Sequence, residues 1–67
     1  MSPENAIKIL SAGAGLKVGI MSPDNLIRLA QAAKNANVHL EIKGALSVEN
    51  MVRIASAGGA HVFFDLT

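Results

Sequence analysis

The stretch SPDNLIRLAQAA, residues 22–33, is repeated in two near copies elsewhere in the chain: SPENAIKILSAG at 2–13 and SVENMVRIASAG at 47–58. Self-similarity at a period of some tens of residues is typical of architectures in which one small unit is stacked on the next. The sequence therefore predicts a single domain, 1–67, made of three repeats that cover 2–21, 22–46 and 47–67.

Each copy has the pattern of an amphipathic helix. After an acidic residue and an Asn come two apolar residues, one basic residue and two more apolar residues. This spacing places the apolar side chains on one stripe of a helix and the basic one away from it. Ser2, Ser22 and Ser47 are N-cap candidates, and Pro3 and Pro23 stand at the first helical position, where no N–H is needed. The helices are expected to end at the small-residue clusters 13–15, 35–37 and 58–59, where Gly and Asn tolerate a C-cap.

A short segment with alternating apolar residues follows each helix. The segments 16–20, 38–42 and 62–66 fit strands with one apolar face. The connections between each strand and the next helix are short, so the strands should run parallel through right-handed helical crossovers. The predicted fold class is α/β, with a three-stranded parallel sheet in the order 1-2-3 and all helices on one face. The residues expected on the helix-facing side are Leu16, Val18, Ile20, Val38, Leu40, Ile42, Val62, Phe64 and Leu66.

This alternation of helix and strand resembles a short piece of an α/β solenoid of the leucine-rich-repeat kind. The L-x-x-L-x-L-x-x-N/C signature of that family is absent, so the likeness is one of architecture and implies only the stacking of repeats. The Ser-Pro-Glu-Asn start of the first copy also resembles small bacterial proteins with similar repeats. Neither resemblance implies an activity.

The composition favours a small aliphatic domain that associates with itself. The chain has 67 residues, no Cys, 51% hydrophobic and 3% aromatic residues. A domain of this size buries only about 60% of the surface of its unfolded chain, and disulfides are not available to stabilise it. No apolar run approaches the length of a membrane span, and the formal charge of +1 does not indicate a polyanionic partner. We expect a cytoplasmic protein that forms a homodimer or a higher homo-oligomer and binds no cofactor.

The third strand is the expected contact. HVFFDLT, residues 61–67, is apolar, contains no Pro and carries one acid, and no residues follow it that could form a polar capping unit. An edge of this kind is a template for pairing with another strand. Antiparallel pairing of two such edges about a two-fold axis would give a six-stranded sheet. The predicted interaction residues, at this edge and on the sheet face opposite the helices, are His61, Phe63, Asp65, Thr67, His39 and Glu41.

One alternative is a nucleic-acid accessory protein. Basic residues at equivalent helix positions should form a row across the outer surface and could contact phosphates. The candidates are Lys8, Arg28, Lys34 and Arg53. Interleaved acids and the absence of aromatic residues on that surface argue against this function.

A second alternative is a metal-assisted hydrolase. His39 and His61 should lie side by side on neighbouring strands, with Glu41 or Asp65 near them. A three-stranded sheet without long loops forms no water-excluding cleft, so we expect no enzyme. The glycine-rich segments 11–15 and 56–60 follow helices, whereas phosphate loops precede them, and they indicate no nucleotide site.

Overall fold

A computed structural model describes residues 1–67 as two layers, one of helices and one of strands. The elements, in chain order, are α1 (Pro3–Ser11), β1 (Leu16–Val18), α2 (Pro23–Ala36), β2 (Leu40–Lys43), α3 (Val48–Gly58), a 3-10 turn (Gly59–His61) and β3 (Val62–Asp65). The strands form one parallel sheet in the order β1-β2-β3. The predicted fold class and strand order are confirmed. None of the helices is long and apolar enough to cross a membrane.

The helix starts follow the sequence signals. The hydroxyls of Ser2, Ser22 and Ser47 each accept a hydrogen bond from the backbone N–H of the Asn three residues later, at 3.2, 3.3 and 3.2 Å. Each bond satisfies a donor that the helix itself leaves unpaired, which is why the motif begins with Ser. At the end of α2, Asn37 has φ 57°, the left-handed conformation of a C-cap.

The core lies between the helices and the sheet. It is formed by ten buried aliphatic residues: Ala6, Leu10, Val18, Leu26, Leu29, Ala30, Ala33, Leu40, Ile42 and Ile54. The middle helix α2 supplies four of these residues, whereas α3 supplies one. The core is therefore centred on the middle repeat.

Gly58 brings α3 close to its neighbours. A Cβ atom at this buried position would lie 2.3 Å from Cγ2 of Val62 and 3.0 Å from Cβ of Ala30. The sequence identified Gly58 and Gly59 together as a helix end, but only Gly59 is the C-cap. Gly58 is a packing residue, because no side chain fits between α3, α2 and β3.

The strands differ from the predicted segments: β1 and β3 are shorter, and β2 begins at Leu40, so that Val38 and His39 precede it. Ile20 and Leu66 lie beyond the ends of β1 and β3, are 49% and 58% exposed, and do not belong to the helix-facing set. After Val18 the chain must leave the sheet at once to reach the N-cap of α2. Thr67 also lies outside the last strand, because its N–H and hydroxyl both donate to Oδ1 of Asp65. This local turn takes Leu66 and Thr67 out of the sheet, so Thr67 is not a residue of the open strand face.

Candidate interaction surface

The sheet face opposite the helices is open and mostly polar. Lys17, Glu41 and Phe63 lie in one row across the three strands, and Lys43 is the direct neighbour of Asp65. Nζ of Lys17 is 3.3 Å from Oε2 of Glu41, and both side chains are largely exposed. An ion pair in this setting contributes about 0–1 kcal/mol, so it orders the face more than it stabilises the fold.

Three rings form a cluster at one end of this face. The ring centroids of His39 and His61 are 6.3 Å apart, and His39 meets Phe63 edge to face at 5.0 Å. Nδ1 of the half-buried His61 lies 3.1 Å from the carbonyl oxygen of Val38, so this nitrogen donates to the backbone when it carries the proton. The cluster holds Phe63 in place while leaving it 48% exposed.

The two histidines lie side by side as predicted, but not on strands, because His39 precedes β2 and His61 belongs to the 3-10 turn before β3. No group of three or more His, Cys, Asp or Glu side chains lies close enough to hold a metal ion. The contact between His61 and Val38 leaves Nε2 as the ring nitrogen available to a ligand. A zinc site needs at least three protein ligands, and His39 and His61 provide two.

Asp65 is the one group whose charge is clearly favoured by its surroundings. The hydrogen bond from the Thr67 hydroxyl, and then the one from its backbone N–H, lower the pKa of the Asp65 carboxyl, and the nearby charge of Lys17 acts in the same direction. Both hydrogen bonds stabilise the ionised form. The last strand therefore carries a fixed negative charge on the open face.

The basic residues of the helices reach the acids of the preceding repeat. Nη1 of Arg28 on α2 lies 3.5 Å from Oε2 of Glu4 on α1, and Nη2 of Arg53 on α3 lies 3.6 Å from Oδ1 of Asp24 on α2. The outer surface therefore carries alternating charges rather than the continuous basic row that the sequence suggested. Lys8 and Lys34 form no ion pair within the chain.

An open groove between α1 and α2 shows which side chains meet across two repeats. It has a volume of about 410 Å³. Residues of α1 and α2 line it: Ile7, Ser11, Arg28, Gln31, Ala32, Asn35 and Ala36. Ile7 and Ser11 are thus on the side of a helix that faces the following repeat, and Arg28 and Ala32 are on the side that faces the preceding one.

The C-terminal end of the stack is the outer surface of α3 and β3, and it exposes large apolar side chains. Val48 and Val52 of α3 are 71% and 57% exposed, although Ile27, the equivalent of Val52 in α2, packs against the core. Strand β3 pairs on one side only, with β2. The sequence identified the strand edge of this surface but missed α3. The sequence did contain a sign of this exposure: Val52 occupies a repeat position that faces the next helix, and α3 is the last helix.

Neither a protein-family model, nor a curated protein, nor a solved structure matches this chain. The resemblance to leucine-rich repeats stays a prediction from the sequence. The function must therefore be argued from the surfaces of the molecule.

Proposed function

We propose that this protein is a small self-associating interaction module, with no catalytic activity of its own, that binds a second copy through the C-terminal end of its stack. The observation that carries the proposal is the apolar surface of α3 next to the one-sided strand β3. Large apolar side chains are exposed there: Val48, Val52, Phe63 and Leu66. A strand edge with no partner, flanked by exposed apolar side chains, is a template for pairing with another chain.

The energetics of the small core support the same function. The buried core consists of ten aliphatic residues, of which three are alanines. A domain of this size is marginally stable alone, and binding between folded copies adds stability by mass action. Homodimers or larger homo-oligomers in the cytoplasm are therefore part of the proposal, and the absence of Cys agrees with a reducing compartment.

The other two functions receive less support. Arg28 and Arg53 each lie next to a carboxylate of the preceding repeat, which reduces the field that they could offer to a nucleic-acid backbone. His39 and His61 lie at the start of β2 and β3, at the surface of the molecule rather than in a cleft that excludes water. Neither surface favours a ligand as clearly as the apolar end of the stack does.

Sedimentation equilibrium across micromolar to millimolar concentrations tests the proposal. The mass of the chain should rise above the 6.9 kDa of a single copy as the concentration increases. Phe63→Lys should reduce the association, because the new charge lies on the edge strand beside the apolar surface. Gln31→Lys is the control: it adds the same charge at an exposed position of the middle helix α2, away from both ends of the stack. A wild-type mass that stays at one copy throughout would overturn the proposal.

A further inference from the structure

We infer that the C-terminal end of the stack binds the N-terminal end of a second copy, the outer surface of α1 and β1, so that copies stack head to tail in the register of the internal repeats. This inference rests on the proposed self-association and names the surface that the partner presents. Its occupant is a second copy of this chain. Three features of the repeats support it: their charges, their burial and their strand register.

The ion pairs between repeats have a direction. Arg28 pairs with the acid of the repeat before it, and Arg53 does the same one repeat later. At the two ends of the stack this series leaves one cation and one anion without a partner in the chain. They are Lys8, at the position equivalent to Arg28, and Glu49, at the position equivalent to Glu4. If a second copy continued the stack after α3, the same pairing would place its Lys8 beside Glu49 of the first copy.

The apolar residues show the same complementarity. Ile7 and Ser11 face the following repeat across the groove between α1 and α2, and their equivalents on α3 are Val52 and Ser56. Val52 is exposed, whereas Ile7 and Ile27 at the same position of the first two repeats are partly buried, as is expected where no further helix packs on α3.

The side that faces the preceding repeat is open on α1. Ala32 lines the groove from α2, and its equivalent Ala12 is exposed. Ile9 is only partly buried, while the equivalent Leu29 and Ile54 are fully buried. A helix stacked on α1 would cover Ala12 and Ile9 as α1 covers α2. The small side chain of Ala12 leaves room for Val52 of the other copy.

The strands can continue the sheet without a change of direction. Leu16, Leu40 and Val62 stand in one row, and β1 and β3 each have one unpaired edge. Parallel pairing of β3 with β1 of another copy would set Val62 beside Leu16 and extend that row.

Two-fold pairing of β3 with β3 would leave β1, Lys8 and Ala12 uncovered. Head-to-tail contacts do not close at two copies, so the mass should increase beyond a dimer.

Complementation between two blocked variants tests the arrangement. Ala12→Arg places a large charged side chain on the N-terminal end, and Val52→Arg does so on the C-terminal end. Both positions are exposed in the single copy, so far-UV circular dichroism and thermal unfolding should match wild type at concentrations where wild type is also a single copy. We expect each variant alone to sediment as one copy, and an equimolar mixture to form a heterodimer through the unblocked end of each.

The outcomes separate this inference from the proposed function. Association of Ala12→Arg with itself, or a mixture that stays monomeric while wild type associates, would overturn head-to-tail stacking and leave self-association standing. A wild-type chain that never associates would overturn both.

A charge exchange gives a second measurement on the same contact. Lys8→Glu and Glu49→Lys should each weaken association about two- to fivefold, the size expected for an exposed ion pair, and the double variant should recover wild-type affinity. Lys34→Glu, which changes another cation without an ion pair, is the matched control and should have no effect. A double variant that is weaker than both single variants would contradict a contact between Lys8 and Glu49.

Discussion

The helices α2 and α3 carry nearly the same motif but have different surroundings. In α2, which has a helix on each side, Leu26, Leu29, Ala30 and Ala33 are fully buried. In α3, which has a neighbour on one side, Ile54 is the one fully buried side chain. The local pattern determines that a helix forms and which stripe is apolar. The position of the repeat in the stack determines whether that stripe becomes core or exposed surface.

The largest effect on stability is expected when the side chain at the same repeat position is truncated to Ala in α2 and in α3. Leu26→Ala should lower the free energy of unfolding by about 2–5 kcal/mol, because it leaves a cavity among fully buried neighbours. Met51→Ala, at the equivalent half-buried position of α3, should cost about half as much. Urea denaturation followed by circular dichroism at low protein concentration measures both. Equal losses would show that α3 is as well packed as α2.

A smaller effect is expected where α3 does contact its neighbours closely. Gly58→Ala should destabilise the fold by about 1–3 kcal/mol, because the new Cβ overlaps with Val62 and approaches Ala30. Gly19→Ala adds the same atom where no heavy atom lies within 4 Å and should change stability by about 0.5 kcal/mol or less. Thermal unfolding of the two variants distinguishes them. If Gly58→Ala were as stable as Gly19→Ala, the close approach of α3 to α2 would be wrong.

The smallest expected effect concerns a contact that the last strand makes with its own end. Glu41 of β2 is paired with Lys17 of the neighbouring strand, whereas Asp65 of β3 is held by Thr67. Thr67→Val should raise the pKa of Asp65 towards its ordinary value, and Thr67→Ser should leave it low, since the serine hydroxyl can make the same bond. NMR titration of the carboxyl carbon measures the shift.

The sign of this effect on stability follows from the lowered pKa. A carboxyl with a lower pKa in the folded state stabilises the fold above the pKa of the unfolded chain. That contribution is lost as the pH falls through the folded-state pKa. Wild type should therefore lose slightly more stability than Thr67→Val on acidification, and an equal loss would contradict the contact.

The sequence predicted the architecture because the signals are local and occur three times. The serine caps, the parallel strands and their order follow from motif spacing and alternation, and the structure confirms them. The side-by-side placement of His39 and His61 was predicted for the same reason.

The contacts between repeats could not be predicted in this way. The pairing of Arg28 with Glu4 depends on how far one helix is offset from the next, which is set by packing and not by the sequence of either helix. The close approach at Gly58 has the same origin, since its sequence context fits a helix end equally well. To predict that Val48 and Val52 of α3 are exposed, one must know which helix lacks a neighbour on one side.

The common direction of the three helices has an electrostatic consequence. Because every helix is followed by a parallel strand, all three N-termini lie at the same edge of the molecule, and their peptide dipoles add rather than cancel. Glu4, Asp24 and Glu49 each stand in the first turn, where a carboxylate offsets the partial positive charge. The acids of the motif therefore reduce the repulsion between the aligned helix N-termini, which gives a physical reason for an acid in the first turn of every copy.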